Sequence, residues 1–563
     1  MFRLFFYAFI LANLTVSFLG TCWAQAPQTS NVDILDRERA REQPAPRSQP
    51  QIRIVDDQKS SEIDESVEFI LGSIRVEGAT VFTEAELLAP FQDLFDKRLS
   101  FGALQAIPAE LTKKYRDNGY LLSRVVLPPQ SVDQEAAHIL LVAVEGYISS
   151  IQYEADEALL VRFKEYFSPI ERKLLSKRPL RHSDFERELL LLQDLPGIKV
   201  SSRFQEAEVE SGSILVLVLE SEPVSVNLGW GNSGTESAGP GLISAGFDLN
   251  SSPLLGMRTS ISYSQADNIK EYYSFTLGEY FQFSSGLNVN VSFGRSDSQE
   301  PDSEFARLFD YQTDSKTFYL GVGYPLIRTR DLNLSLGVAY EHRDSHSTMA
   351  GASFNSDRLR SLSYKVNFDF SDEFGGVTQL NATISQGLNV FKATDFEPFS
   401  SNSLAAAEYF KADLYLSRNQ RLPFGFGLRL SAEAMLADRV LASYNKFSFG
   451  GGLFGRGYDS GTLEGDKAVA ASLEPYWTHS FGDRFTLQPF GFIDYGRVWP
   501  KMAMAGLPDS EFGSSLGAGF RLWGVVGPNG RPSFSLSAFV GKPLKTIGDE
   551  KLPRFVCQLT FTY

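Results

Sequence analysis

The chain has 563 residues, long enough for several domains, and 43% of them are hydrophobic. Its 53 basic and 68 acidic residues give a formal charge of −15 with no basic tract, which excludes a nucleic-acid partner. Only two cysteines occur, so the fold stands on packing and hydrogen bonds rather than on a disulfide framework.

In chain order, Arg3 precedes an apolar stretch over residues 4–19, and the small residues Ala24 and Ala26 offer a cleavage site. Residues 1–24 therefore read as a secretory signal peptide. Cys22 invites a lipid-attachment reading, but Leu19, Gly20 and Thr21 match that pattern poorly, and cleavage after Ala24 removes it. Cys557 is then the one mature cysteine, expected as a small apolar wall residue of the last strand. Residues 25–66 are charged and broken by proline. Within them 32–42 (VDILDRERARE) fits a short helix and 43–51 (QPAPRSQPQ) an extended linker, although composition alone slightly favours a disordered leader.

Two units of mixed helix and strand follow, over 67–147 and 148–222. In the first, a strand over 70–77 ends at Gly78, Thr83 caps a helix carrying Leu87, Leu88, Phe91 and Phe95, and Ser100 caps a second helix that Gly119 closes. Strands are expected at 121–127 and 137–145, with Pro128 and Pro129 turning between them. The second unit repeats the order: a strand at 148–153, helices at 156–167 and 183–195, and strands at 198–204 and 213–220. Each unit sets two helices on one side of a small sheet and leaves a strand edge open to an extended peptide, whose main chain would supply the bonds. A passive spacer is the alternative. The candidate edge residues are Leu121, Ser123 and Val125 in the first unit and Ile198, Val200 and Ser202 in the second.

From Val224 to the end, over 223–563, apolar and polar residues alternate in runs of about ten. Val224, Val226, Leu228 and Trp230 oppose Ser225, Asn227, Gly229 and Gly231 in the first of them. Sixteen runs begin near residues 224, 243, 259, 273, 287, 318, 332, 364, 378, 410, 426, 469, 485, 516, 534 and 555. No later stretch is long and apolar enough to span a bilayer as a helix; residues 139–144 stop at Glu145. The expected fold is thus α+β units followed by an all-β, 16-stranded transmembrane antiparallel barrel with lipid around it and water inside. A soluble β-sandwich or solenoid also alternates, but it does not set Phe, Tyr, Leu and Val so consistently against Ser, Asn, Gly, Asp and Arg.

Several short motifs lack the context their chemistry needs. Gly450, Gly452 and Gly455 spell GxGxxG, yet no parallel strand and helix surround them and no P-loop lysine follows, so no cofactor is expected. His342 and His346 stand at metal spacing in a polar stretch and read as solvated loop residues, with no metal. His342, Arg343 and Asp344 echo a kinase triplet without its context. No nucleophile and base assemble, so an enzyme is not expected.

The segments GSIRVEGATVFTEAEL (72–87) and YRDNGYLLSRVVLPPQ (115–130) resemble a POTRA domain, and the next unit resembles the second POTRA domain of the two-partner secretion transporters, the haemolysin secretion and activation proteins. The resemblance covers essentially the whole mature chain and implies that 25–66 hold a plug helix and its linker. FGGGLFGRGYDSG (449–461) is similar to the family's loop signature, whose arginine meets an aspartate of the barrel wall. That carries over to Arg456, Gly457 and Tyr458 at the tip, with FIDYGRVW (492–499) supplying Asp494 and the glycines Gly451, Gly452 and Gly455 bending the loop. Phe454 and Gly455 stand where the family usually has a Ser-Val pair.

The resemblance implies an outer-membrane transporter with periplasmic N-terminal domains. It would bind a secreted exoprotein client in extended form and thread it to the cell surface. Outer-membrane lipid, periplasmic chaperones and the barrel-insertion machinery would be its other partners. The aromatic Tyr563 closing FVCQLTFTY resembles the signal read by that machinery. A barrel-assembly factor is the alternative, though such factors generally carry more than two POTRA domains; a passive porin would explain neither the POTRA units nor the luminal arginine.

Overall fold

Thr83 starts the first helix because its hydroxyl accepts from the Glu86 N–H while the Glu86 carboxylate reaches back to the Thr83 N–H. That helix, Glu84–Leu88, tightens at Pro90 into the turn Ala89–Leu94. Ser100 caps the second, Phe101–Asp117, by accepting from Ala103 at 3.2 Å. Leu104, Ile107, Leu111 and Tyr115 fall on one stripe of it and pack on the sheet. The sheet order is Arg98–Ser100, Glu68–Glu77, Ala137–Val144, Arg124–Val126, with the central pair parallel. The computed structural model describes residues 52–53, 68–133, 135–208, 211–235, 239–298, 310–501, 508–527, 532–548 and 552–563. The signal peptide, Cys22, the helix expected at 32–42 and most of the linker lie outside the described residues.

The second unit places Tyr147–Glu154, Gly212–Ser221 and Ile198–Glu206 side by side under helices Glu157–Leu175 and His182–Gln193. The first of these helices continues beyond the expected end at Phe167 and through Pro169. An interior proline costs about 3 kcal/mol. Burying Ile170 and Leu174 on the core stripe returns about 1.5 to 3 kcal/mol each and outweighs it. The units join tightly: the Gly146 carbonyl accepts from Leu180 at 3.0 Å, and a Cβ on Gly146 would lie 2.3 Å from the Leu122 oxygen.

The barrel comprises seventeen ladder segments, of which Lys467–Trp477 and His479–Phe481 both pair with Phe485–Trp499. They are one strand broken at Thr478, so the closed barrel has sixteen strands, one for each alternating run. Gln312–Arg328, Ala352–Ser371 and Glu511–Val525 start well before the runs read from sequence at 318, 364 and 516. The first residues of Gln312–Arg328 are polar on both faces and those of Ala352–Ser371 mostly so, which hides the alternation; in Glu511–Val525, Phe512 keeps the outward parity of Leu516 but only small or polar residues lie between them. His342 and His346 accordingly lie on the strand Leu332–Met349, not in a loop, and His342 sits 3.5 Å from Asp344.

Leu228, Trp230, Ile243, Phe275, Leu277, Phe293 and Tyr364 are exposed on the outer face, the band that faces lipid. The last strand, Arg554–Thr562, closes on the first, Val224–Gly231, with Leu559 opposite Trp230, so no sheet edge is left. Cys557 is half-buried in that last strand.

Helices of the second unit dock on one rim. Arg328, 5% exposed, holds Asp194 through Nε at 2.8 Å and Nη2 at 2.9 Å. Gln282 Nε2 donates to the Leu191 carbonyl at 2.8 Å and Tyr166 donates to the Gln282 carbonyl at 3.1 Å. Counting strands from this rim places the loop 438–466 at the opposite mouth.

Candidate functional site in the barrel lumen

Loop 438–466 does not stand clear of the barrel. A short hairpin, Phe447–Phe449 with Leu463–Gly465, carries its tip down against the inner wall. Phe447, Phe449 and Tyr458 are fully buried and Phe454 nearly so, packed with Tyr409, Met435, Leu441, Ala468, Ala470 and Val498. At about 1.5 to 3 kcal/mol for each buried side chain, these rings supply most of the energy that seats the loop. The charged groups set where it sits.

Alternation places Ser472, Glu474 and Asp494 on the luminal faces of two neighbouring strands, with Ser472 opposite Asp494. Arg456 meets Asp494 with Nε at 3.1 Å and Nη2 at 2.9 Å, and its own backbone N–H donates to the same carboxylate at 3.0 Å. Nη2 also donates to Ser472 Oγ at 2.8 Å, and Ser472 donates to Asp494 at 2.7 Å. Side-chain exposure is 7% for Arg456 and 0% for Asp494. A buried guanidinium stays charged, so this planar, bidentate match limits its desolvation cost.

Sequence reasoning paired Arg456 with Asp494 and missed Glu474, which Arg456 Nη1 reaches at 2.5 Å. Glu474 also contacts Arg521 at 2.8 Å and Arg429 at 3.1 Å. Two phenyl rings floor the cluster: the Arg456 guanidinium lies 3.7 Å over Phe492 and that of Arg521 4.0 Å over Phe490. The only sequence signal for Glu474 was a lone acid on the polar parity of its run; nothing there said which of the luminal acids meets the tip.

The other tip residues gather at the same place. The Tyr458 hydroxyl accepts from the Ser514 N–H at 3.1 Å and lies 2.7 Å from the Lys545 carbonyl. Gly457 lies flat on the wall, where a Cβ would come within 2.7 Å of the Lys542 carbonyl carbon and 2.8 Å of Ser515 Cβ. Gly455, at φ 77°, makes the left-handed turn before the arginine, and Phe454 enters the apolar cluster, so the departure from Ser-Val is filled by packing. Gly451 and Gly452 border a cavity of about 210 Å³ lined also by Arg456, Arg521 and Arg554. Among the described residues no group of metal-ligating side chains occurs.

The candidate edges lie far from this cluster, and both carry occupants. In the first unit the strand is only Arg124–Val126, so Leu121 and Ser123 precede it. Ser123 is buried, with its hydroxyl accepting from the Gly146 N–H at 3.1 Å. The Val125 N–H donates to Thr112 Oγ1 at 2.9 Å, so a helix side chain already caps that edge. In the second unit Ile198 and Val200 point into the core, and Gln193 takes the Val200 carbonyl at 2.9 Å. Further along, Ile52–Arg53 pairs in parallel with Ser202 and Arg203.

A sixteen-stranded barrel filled by its own arginine-tipped loop, with paired α+β sheets at one mouth, defines a polypeptide-translocating barrel of the outer membrane. Residues 211–520 match the haemolysin secretion/activation proteins ShlB/FhaC/HecB, and residues 69–146 match the ShlB-type POTRA domain. The first match spans more than half of the chain, and the chain belongs to that family. It is a two-partner secretion transporter of the outer membrane with periplasmic POTRA domains, and not an enzyme.

The chain is similar to the heme/hemopexin transporter protein HuxB of Haemophilus influenzae (strain 86-028NP), 22% identical over 476 residues that cover 82% of this chain and 80% of that one. It is similar also to the outer membrane transporter CdiB of Escherichia coli, 23% identical over 465 residues, covering 80% of this chain and 76% of that one. The solved structure of CdiB from Escherichia coli superposes with a TM-score of 0.68 at 21% identity, covering 95% of this chain and 98% of that chain. CdiB from Acinetobacter baumannii gives 0.59 at 17% identity, covering 94% and 98%.

Proposed function

We propose that this transporter serves one large exoprotein, captured in extended form by adding a strand to the edge Ile198–Glu206. The observation that carries this reading is the parallel pairing of Ile52–Arg53 with Ser202 and Arg203. It supports an edge that accepts a strand regardless of side chain, held at rest by the chain's own linker. Leu121, Ser123 and Val125 drop out of the capture surface because Thr112 and Gly146 already bond that region.

The division of labour follows the boundaries read from sequence: a signal peptide over 1–24, plug and linker over 25–66, POTRA domains over 67–147 and 148–222, and the barrel from 223. Client binding displaces the linker, the loop tip at Arg456 and Asp494 gives way, and the client crosses the lumen. Folding outside biases the movement forward. Biogenesis places the barrel in outer-membrane lipid through periplasmic chaperones and the insertion machinery.

A photo-crosslinking residue at Arg203, in cells secreting the client, tests the capture step. The expected product is a covalent adduct with the client that disappears when Ser202 is changed to Pro. Equal adduct from a probe at Arg124 on the capped edge would contradict the assignment.

A further inference from the structure

The loop 388–409 accounts for a hold on loop 438–466 that the tip does not. Ala352–Ser371 extends beyond its neighbour Gly376–Gly387, leaving the backbone of Ser356, Arg358 and Arg360 without a ladder partner on that side. Loop 388–409 fills this side. Leu388 N–H donates to the Arg360 carbonyl, Thr394 N–H to the Arg358 carbonyl and Ser356 N–H to the Phe399 carbonyl. Arg358 further holds Glu397 at 2.6 Å and the Lys392 carbonyl at 2.5 Å, and Ser401 N–H donates to Asp357 at 3.0 Å. Charge-assisted bonds of this kind fix the loop firmly to the wall.

The same loop then reaches the root of loop 438–466. Asn402 Nδ2 donates to the Leu441 carbonyl at 3.2 Å, and Ser401 Oγ accepts from the Ser443 N–H at 3.0 Å. Leu441 and Ser443 are fully buried there. Beside them the guanidinium of Arg343, a wall residue 2% exposed, lies 4.0 Å over the Tyr444 ring. None of these groups touches Arg456, Glu474 or Asp494.

We propose that loop 388–409 is a fixed catch on the cell-surface side that holds the root of loop 438–466, so that the channel is latched at two places and opening requires release at both. The inference rests on the reading that loop 438–466 yields during transport. Two neutral bonds join root to catch, one stacked cation joins root to wall, and ionic bonds join catch to wall. The root therefore detaches and the catch stays.

The test places cysteines at Ser401 and Ser443, which meet at 3.0 Å through the Ser401 side chain and the Ser443 backbone, in a Cys557→Ser background, with formation of the disulfide verified by mass spectrometry. Cells carrying the full-length protein and its client are compared with and without oxidant. Loss of client secretion on oxidation, with recovery on adding reductant, is the expected result; recovery also shows that the barrel was folded. A second variant, Asn402→Ala, which removes the catch's bond to the Leu441 carbonyl, is expected to open more often than the parent in lipid bilayers without client. A formed disulfide that leaves secretion unchanged would overturn the catch, as would unchanged opening of Asn402→Ala. Arg456→Ala separates the two levels. If it blocks secretion while the disulfide does not, the catch alone fails; if neither blocks it, the yielding loop fails too.

Discussion

Arg456 meets Glu474 at 2.5 Å although Glu474 already serves Arg429 and Arg521. One carboxylate, 4% exposed, is thus the shared anion of three guanidiniums, and Asp494 is the private partner of the loop arginine. The tip motif is therefore seated in a five-membered charge cluster rather than a simple pair.

Removing Glu474 should accordingly hurt as much as removing Arg456, even though Glu474 lies outside the recognisable motifs. Glu474→Gln leaves three guanidiniums close together, and Arg456→Ala leaves Asp494 buried without its cation; each costs about 3 to 5 kcal/mol. Arg456→Lys should rescue poorly, because an ammonium cannot bind bidentately. The check is secreted client per folded barrel, the latter read by heat-dependent gel mobility. Secretion should collapse in all three variants while folded barrel remains.

Apolar burial predicts a different phenotype for Phe449. Fully buried among the loop and wall rings, it is expected to cost about 3 to 5 kcal/mol when cut to alanine. Since the arginine cluster stays intact, Phe449→Ala should loosen the hairpin around a tethered tip. Hydrogen exchange across 447–465 should rise, and spontaneous openings in bilayers should become more frequent; unchanged exchange would argue against the packing role.

Ile52→Pro should strengthen client binding. Proline removes a backbone donor from the short parallel pair with Ser202 and Arg203, and each lost bond is worth about 0.5 to 1.5 kcal/mol. Titration of the full-length transporter with the client's secretion segment should show a lower Kd, and a higher one would reverse the sign of the argument.

Glu145 links acidity to the first POTRA domain. Burial by itself would raise its carboxyl, but bonds from the Thr80 hydroxyl, the Val81 and Thr80 N–H groups and the Tyr115 hydroxyl win and hold it below the usual range. The folded form thus favours the carboxylate. Its stabilisation is present above the unfolded value, about 4.3, and is lost as pH falls through the lower folded value. Protection of residues 78–83 from exchange should drop on acidification in the parent. In Glu145→Gln it should be low at neutral pH and change little.

Much of this was legible from residues alone, for physical reasons that also mark where legibility ends. The strand faces were readable because Val224 to Trp230 must face lipid while Ser225 to Gly231 face water. Above the membrane that contrast vanishes, so the first residues of Gln312–Arg328 and Ala352–Ser371 left no trace in the pattern. Thr83 and Ser100 announced their helices because a cap is a local interaction. The fate of the strand edges was not readable: whether Val125 is open depends on Thr112, thirteen residues away in sequence, and whether Ser202 is open depends on Ile52. Arg456 and Asp494 were found through a shared motif. Glu474 carries no motif, and only the barrel's closure brings it to the arginine.

Whether this barrel exports a dedicated client is decided by quantitative mass spectrometry of medium and outer-membrane fractions from cells with and without the gene. For a dedicated transporter, one large protein vanishes from the surface and medium while other barrels keep their abundance. Broad depletion of other barrels would contradict it and point to an assembly factor instead.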